Sequence, residues 1–554
     1  MTLPPRTQPA PSGSGKYDVI IIGAGAGGGM AALVLATASK RVLLLERGRN
    51  LSYDDIGRDH LRNHRHFPYG QNAGPEMTGN PRTIATDDAG GYRVTSPNEG
   101  AYQNNAATVG GGTRVFGAQA WRFMPQDFRM ASEYGVPAGS SLADWPISYD
   151  DLAPYYERVE WEIGVCGDSA EMTHLPPFAK PFPMPTLPMT ERGRINRRGA
   201  AVLGWDVVSP PLMINSVPYQ DRPACIGCQH CVGFPCPVDA KNSTYSTAIP
   251  RAVATGNCDL IAVAMVERLV VDSGRVTGVR YVDSSDQRVE VSAPVVVVAG
   301  GASETPRLLL NSAHDGEPHG VGNAYDQVGR HLQGHYYPRA VGLFEQPVWD
   351  GVGPGVRTAT CKFNHGNDGI IGGSMLADDF VTLPMVVWSS LLPPDLPRWG
   401  LANKRFMREG YRHLNDITGP VQEIPTPDFR VTVNREVRDR WGIPVVHFAG
   451  ATHAETFRAG AFMLARAKEW LAAAGAVRVW GFPGGQPSGQ HHAGTCRMGD
   501  DPRMSVVDRW GRVHGHENLY IADASVHVTN GGFNPVLTIM ALAYRTAEGI
   551  VLQW

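Results

Sequence analysis

An α/β fold is what this 554-residue sequence predicts, and three observations carry it. The apolar run 19–22 leads straight into Gly23-Ala24-Gly25-Ala26-Gly27-Gly28, the strand and turn of a Rossmann-like parallel sheet. A second run, 41–45, ends in Glu46, 18 residues beyond Gly28, where a carboxylate can accept both hydroxyls of an adenosine ribose. Alternating stretches further on (340–344, 385–388, 429–433) read as strands of a separate antiparallel sheet.

Taken in order, residues 1–14 are rich in Pro, Ser and Gly and have no apolar core, so they read as a disordered tail and not as a signal peptide. After the first strand, Gly23 permits the tight turn, Gly25 lets the backbone approach a pyrophosphate, and Gly28 lets the next helix pack closely. That helix is expected at 29–39, with its N-terminal N–H groups aimed at the phosphates. An acid at position 46 disfavours a 2′-phosphate. Residues 51–99, rich in Gly, Asn, Asp and Pro, read as a loop crossing the cofactor cleft. Thr452 is placed to cap a long helix ending at Gly475, with Phe457, Ala461, Leu464, Lys468 and Leu471 on its core face.

With a net charge of −3, the chain has no electrostatic footprint for nucleic acid or anionic membrane. No apolar run reaches the roughly 18 residues of a membrane span. The expected location is the cytoplasm, with export alongside a signal-bearing partner left open.

The most chemically informative stretch is 489–499, Gly-Gln-His-His-Ala-Gly-Thr-Cys-Arg-Met-Gly, followed by Asn534-Pro535 in a second Gly-rich turn. A histidine and an asparagine converging on one pocket suit the oxidation of an alcohol. Hydride leaves the carbinol carbon only as the hydroxyl loses its proton, and a neutral imidazole is an effective base for that proton. The asparagine amide can hold the same oxygen.

These motifs resemble the glucose-methanol-choline (GMC) family of flavoprotein oxidoreductases. The likeness rests on the N-terminal fingerprint, Val109-Gly110-Gly111-Gly112-Thr113 with Gly117, Ala264-Met265-Val266 leading into 274–279, the strand and turn 295–304, His491 to Gly499, and Asn518 to Thr538. The resemblance implies FAD, with Gly23, Gly25, Gly28 and Glu46 holding its ADP half. Gly111, Gly112 and Thr113 would lie along the pyrophosphate and flavin edge, Val266 would meet the adenine through its backbone, and Asp523 and Ala524 would meet the ribityl-pyrophosphate. The catalytic histidine of the family pattern falls on His491, with His492 as the neighbour most easily confused with it, and its partner falls on Asn534. Some family members attach FAD through a histidine in the segment matching 110–121; this chain has neither His nor Cys there, so non-covalent FAD is expected.

The motifs divide the chain into a discontinuous FAD-binding domain (15–50, 100–130, 216–320 and 488–554) and a substrate domain (140–215 and 321–487), the GMC fold. The runs 110–128 and 142–146 are most similar to the pyranose and glycoside oxidase or glucoside 3-dehydrogenase branch. Gln119, Trp121, Arg122, His335, Tyr336, Tyr337 and Trp388 supply the hydrogen bonds and stacking faces that a polyol ring needs. The expected reaction is oxidation of a secondary alcohol of a sugar or glycoside to a ketone, with oxygen, a quinone or a redox partner as electron acceptor. Rivals are a non-sugar alcohol under the same chemistry, an NAD-dependent dehydrogenase that leaves 491–499 unexplained, and an electron-transfer flavoprotein subunit built around cysteines.

Those cysteines are Cys225, Cys228, Cys231 and Cys236, four of the eight in the chain. A zinc ribbon needs two separated pairs. Ferredoxin-type ligation has Cys-x2-Cys-x2-Cys-x3-Cys-Pro, and the last spacing here is one residue longer. An iron–sulfur cluster, bare thiols or a disulfide, and zinc are all compatible with the sequence, and the spacing weighs toward no cluster.

Overall fold

The computed structural model describes residues 17–56, 73–86, 90–103, 105–378, 383–484 and 489–554. The expected tail 1–14 and parts of the 51–99 segment lie outside them. A five-stranded parallel sheet has the order Leu519–Ile521, Val295–Val298, Val19–Ile22, Val42–Glu46 and Cys258–Ala262. The first two strands along the chain are buried at every residue, as a sheet covered on both faces requires. The helix Ala26–Thr37 opens three residues earlier than expected, because the third fingerprint glycine lies inside its first turn; it packs on the C-terminal helix Val536–Gln553 and on Ala248–Ala254. An antiparallel sheet, Met265–Asp272, Arg275–Val282 and Arg288–Ser292, follows the third parallel strand along the chain and packs against the others.

A second five-stranded sheet is antiparallel: Ala359–Thr360, Leu376–Asp378, Leu414–Thr418, Arg339–Leu343 and Arg478–Phe482. The helix Ala454–Ala473 lies against it, and Glu191–Leu203 packs on that helix. Parallel nucleotide sheet plus antiparallel substrate-side sheet is the architecture expected from sequence.

Several local expectations fail. His453, not Thr452, caps the long helix, its ring nitrogen accepting from Glu455 N–H at 3.2 Å, while the Thr452 hydroxyl donates to Glu423 at 2.7 Å. The buried face of that helix is Thr456, Ala459, Gly460, Met463, Ala467, Trp470 and Leu471; Phe457, Ala461 and Lys468 face outward. Residues 385–388 are helical, not a strand, because Pro384 occupies the first helical position with its φ already set. The 429–433 stretch does form a strand, Arg430–Arg438, but in a different sheet, paired with Pro444–Ala449. That sheet also takes in Arg82–Ala85 and Tyr92–Thr95, so the segment read as a loop contributes a hairpin. Within 140–215, the helix Tyr149–Val159 packs on the C-terminal helix of the nucleotide side, where Tyr156 and Thr538 hydroxyls meet at 2.8 Å.

A buried charge cluster ties these parts together. Glu304, on the helix Gly301–Asn311, meets Arg82 at 2.9 Å, Arg307 at 3.0 Å and Arg47 at 3.2 Å, and Arg307 also meets Asp439 at 2.6 Å. Burial pushes the Glu304 carboxyl up, but Arg47, Arg307 and Arg82 outweigh that and hold it well below the usual carboxylate range. Replacing Glu304 with Gln leaves three guanidiniums short of a counter-charge and should destabilise by about 3 kcal/mol at pH 7. Because the folded-state pKa is depressed, this stabilisation is present above the ordinary carboxylate range and fades as pH falls through it. Thermal unfolding of wild type and Glu304→Gln should therefore show a gap that narrows toward acid; a gap that is absent at pH 7 or constant with pH refutes the assignment.

Candidate active site

The fingerprint glycines stand at close backbone approaches around an open cradle. Gly23 has φ +102°, and a Cβ there would lie 2.4 Å from the Ala299 oxygen. A Cβ on Gly28 would lie 1.9 Å from the Gly23 oxygen, and one on Gly27 1.8 Å from the Ala522 oxygen. Gly25 and Gly112 behave oppositely: a Cβ on either meets nothing within 4 Å. A Cβ on Gly111 (φ +51°) would lie 3.0 Å from Gly25 Cα, so the two glycine-rich turns face each other. Glu46 lies beneath, one oxygen accepting from Ala24 N–H at 2.9 Å and the other from Gly48 N–H at 2.7 Å. Burial pushes its carboxyl up and those N–H groups oppose the shift; each oxygen keeps a lone pair for a ribose hydroxyl.

The remaining cofactor candidates fall around this cradle. The Thr113 hydroxyl donates to Gly110 O at 2.6 Å and accepts from Thr244 N–H at 3.2 Å, and the Thr244 hydroxyl donates to Gly25 O at 3.2 Å. No motif pointed to Thr244. Ala264 N–H bonds Glu46 O at 2.9 Å, which ties the start of the Val266 strand to the ribose-side acid. The Asp523 carboxylate is used within the protein: it caps the 524–526 turn through Ser525 N–H and accepts from Gly301 N–H and Thr305.

The two adjacent histidines diverge. His492 is 5% exposed, packed on Phe448 and beside Ser303, and burial with the nearby Arg82 lowers its pKa to about 3. His491 is only partly buried. Its Nδ1 lies 2.9 Å from His335 Nδ1 and 3.0 Å from the Tyr337 hydroxyl, and its carbonyl accepts from Asn530 Nδ2 at 2.7 Å. His335 Nε2 in turn lies 2.9 and 3.1 Å from the carbonyls of Gly531 and Asn530, joining His491 to the turn that carries Asn534. Asn534 Oδ1 is buried without a protein partner, an acceptor left over for something else.

Of the seven side chains expected to hold a sugar ring, His335 and Tyr337 reach His491. Tyr336 points the other way, against Phe457 and the Gly460 face of the long helix, because alternate residues of an extended chain face opposite sides. Arg122 is buried in a two-pronged pair with Glu160, both bonds at 2.7 Å. The Trp121 indole donates to Gln119 at 2.6 Å and packs on Phe533 and His174, next to the Asn534 turn. Trp388 bonds Arg398 O on a partly exposed helical turn, away from this network. Asn530, missed from sequence, lies four residues before Asn534 in the same Gly-rich turn.

The four clustered cysteines line one cavity together with Ile214, His230, Ala240 and Lys241. None of the four is joined in a disulfide, and burial pushes Cys225 up and Cys231 to about 12, against a lowering effect of Lys241 on Cys231. Lys241 Nζ donates to the carbonyls of Cys231, Phe234 (2.8 Å) and Phe116 (3.1 Å), which anchors the loop to the 110–121 segment. Among the described residues no group of three or more His, Cys, Asp or Glu side chains is arranged to hold a single metal ion.

Two family models described as GMC oxidoreductase match this chain, at residues 26–337 and 425–543. It is 31% identical to the fructose dehydrogenase large subunit of Gluconobacter japonicus, over 96% of this chain and 97% of that one. It is 30% identical to paromamine 6′-oxidase of Streptomyces fradiae (96% and 91% covered) and 29% identical to 2-methyl-1,2-propanediol dehydrogenase of Mycolicibacterium austroafricanum (97% and 96% covered). Among solved structures, pyridoxine 4-oxidase from Mesorbium loti superposes with a TM-score of 0.66 at 18% identity, covering 96% of this chain and 99% of its own.

The cradle makes a prediction separable from folding. Gly25→Ala adds a methyl to open space, so unfolding of the apoprotein should be unchanged while FAD affinity falls about tenfold or more, as expected when a contact group is displaced. Titration of apoprotein with FAD checks it; unchanged affinity would show that no cofactor passes there.

Proposed function

The chain belongs to the GMC oxidoreductase family, an FAD-dependent group acting on CH–OH donors, and on that premise we propose that it oxidises a secondary alcohol of a sugar or glycoside to a ketone. The observation that carries the reading is the pairing of a partly buried His491, tied into a hydrogen-bonded network, with the adjoining turn that carries Asn534. Support for a sugar comes from relatives of both kinds: the fructose dehydrogenase subunit and paromamine 6′-oxidase act on polyhydroxylated rings, whereas the propanediol dehydrogenase keeps a simple alcohol as the second reading.

The empty space at Gly25 and Gly112 and the ribose-side acid Glu46 fit FAD, and with it bound the flavin supplies the hydride acceptor. In this mechanism His491 takes the hydroxyl proton from the substrate. Asn534 would hold the same oxygen by donating an amide Nδ2–H, since the hydroxyl's own proton goes to His491, so that the carbinol hydrogen points one way only. His492, buried and held neutral, packs and takes no part. Attachment of FAD is non-covalent and the setting cytoplasmic in this reading.

A second proposal concerns the cysteines. Four cysteines that line one cavity suit a polynuclear iron–sulfur cluster, whose irons their thiolates would hold. This arrangement weighs against the long fourth spacing. Lys241 would balance thiolate charge and hold the loop to the flavin side.

Four measurements follow. An anaerobic panel of sugars, glycosides and simple alcohols should bleach the flavin fastest with a polyol ring; preference for simple alcohols would move the substrate to the second reading. His491→Ala should slow flavin reduction by about 10²–10⁴-fold with FAD retained, the cost of a lost general base; a wild-type rate would remove it from that role. Acid precipitation should release all the flavin, and colour left in the pellet would mean a covalent anchor. Iron and acid-labile sulfide should be present at about three or four irons per chain after anaerobic purification; metal-free protein would return the cysteines to thiols.

A further inference from the structure

Resting on the reading of His491 as base, we propose that His335 is the positioning residue that fixes which nitrogen of His491 carries the hydrogen and which can take a proton. His335 is fully buried, and its Nε2 faces the carbonyls of Gly531 and Asn530 at 2.9 and 3.1 Å. A carbonyl oxygen only accepts, so that nitrogen carries the hydrogen. Burial lowers the His335 pKa to about 4, the two carbonyls opposing, so the ring is neutral near pH 7 and its Nδ1 is a bare lone pair.

That lone pair faces His491 Nδ1 at 2.9 Å. Two bare nitrogens would repel at this distance, so the hydrogen between them belongs to His491. His491 therefore carries its proton on Nδ1, with the Tyr337 oxygen 3.0 Å away as a second acceptor, and its Nε2 is left unprotonated for the substrate hydroxyl. Two backbone carbonyls of the 530–531 turn fix the hydrogen on His335 Nε2. The same turn that carries Asn534 thus sets the protonation pattern of the base.

The imidazole can be halved by substitution. Asn at 335 places an amide oxygen near the old Nδ1, keeping the acceptor for His491 but giving up the donor to the 530–531 carbonyls. Gln at 335 reaches those carbonyls and withdraws the acceptor. His335→Gln should slow anaerobic flavin reduction by about 10²-fold, on the scale between an orienting partner and a wrong tautomer, with FAD content and thermal midpoint kept. His335→Asn should restore most of the rate. A purely structural role predicts the reverse order, and that order, or a wild-type rate in His335→Gln, overturns the proposal.

Nitrogen resonances of wild-type holoenzyme labelled with 15N-histidine provide a test independent of variants folding. The pair of signals lost in His491→Ala should show a protonated Nδ1 and an unprotonated Nε2; the opposite pattern refutes the assignment. If instead His491→Ala reduces its flavin at the wild-type rate, the base assignment fails while the tautomer result stands, so the two failures are distinguishable.

Discussion

Three strands from distant parts of the chain, 519–521, 295–298 and 19–22, lie side by side from the edge to the centre of one parallel sheet, and the site depends on how closely their ends meet. The turn after the first strand touches both neighbouring turns with no room for a Cβ: Gly23 against Ala299 and Gly27 against Ala522. Parallel strands put all three carboxyl ends at one edge, where such folds bind ligands. The N-terminal cradle and the C-terminal turns are therefore held together by backbone contact. Side-chain adhesion is added one layer out, where Glu304 gathers arginines from the second strand, the 82–95 hairpin and its own helix.

The parallel sheet was legible because a strand buried on both faces leaves an unbroken apolar run, and because glycine is required where backbone meets backbone. The long helix was legible in existence and not in rotation. Phe457 and Ala461 share a helical stripe with Leu464, but the face that packs is the one offering Ala459, Gly460 and Ala467, since small residues let the sheet and Tyr336 come close. Residues 385–388 show the limit of short apolar runs, which fit strand and helix equally until Pro384 is given its weight. The 82–85 and 92–95 hairpin was hidden by its polar composition; its pairing partner lies more than 300 residues away.

The site divides in the same manner. The glycines and Glu46 could be placed from spacing alone, since each answers a steric or hydrogen-bonding demand of a strand-turn-helix. The surroundings of His491 could not. His335 and Tyr337 reach it only because the extended segment after Gly334 crosses the 491 loop and the 530 turn, and Tyr336 between them is turned to the other side. Arg122 and Trp388 carried the right chemistry for a sugar and proved to be engaged elsewhere, one by Glu160 and one by Arg398. Residue type states what a side chain can bond; only the fold states which partner claims it.

In the proposed mechanism His491 and Asn534 share one reaction space above the glycine cradle. A structure of the enzyme loaded with FAD and a slow alcohol or ketone ligand tests it most directly. The account predicts the ligand oxygen within hydrogen-bonding distance of both His491 Nε2 and the Asn534 amide, with the flavin across the ligand from neither residue's backbone anchor but seated along Gly25, Gly111 and Gly112. A ligand oxygen held by other side chains, or a flavin faced by His492 in place of His491, would contradict it.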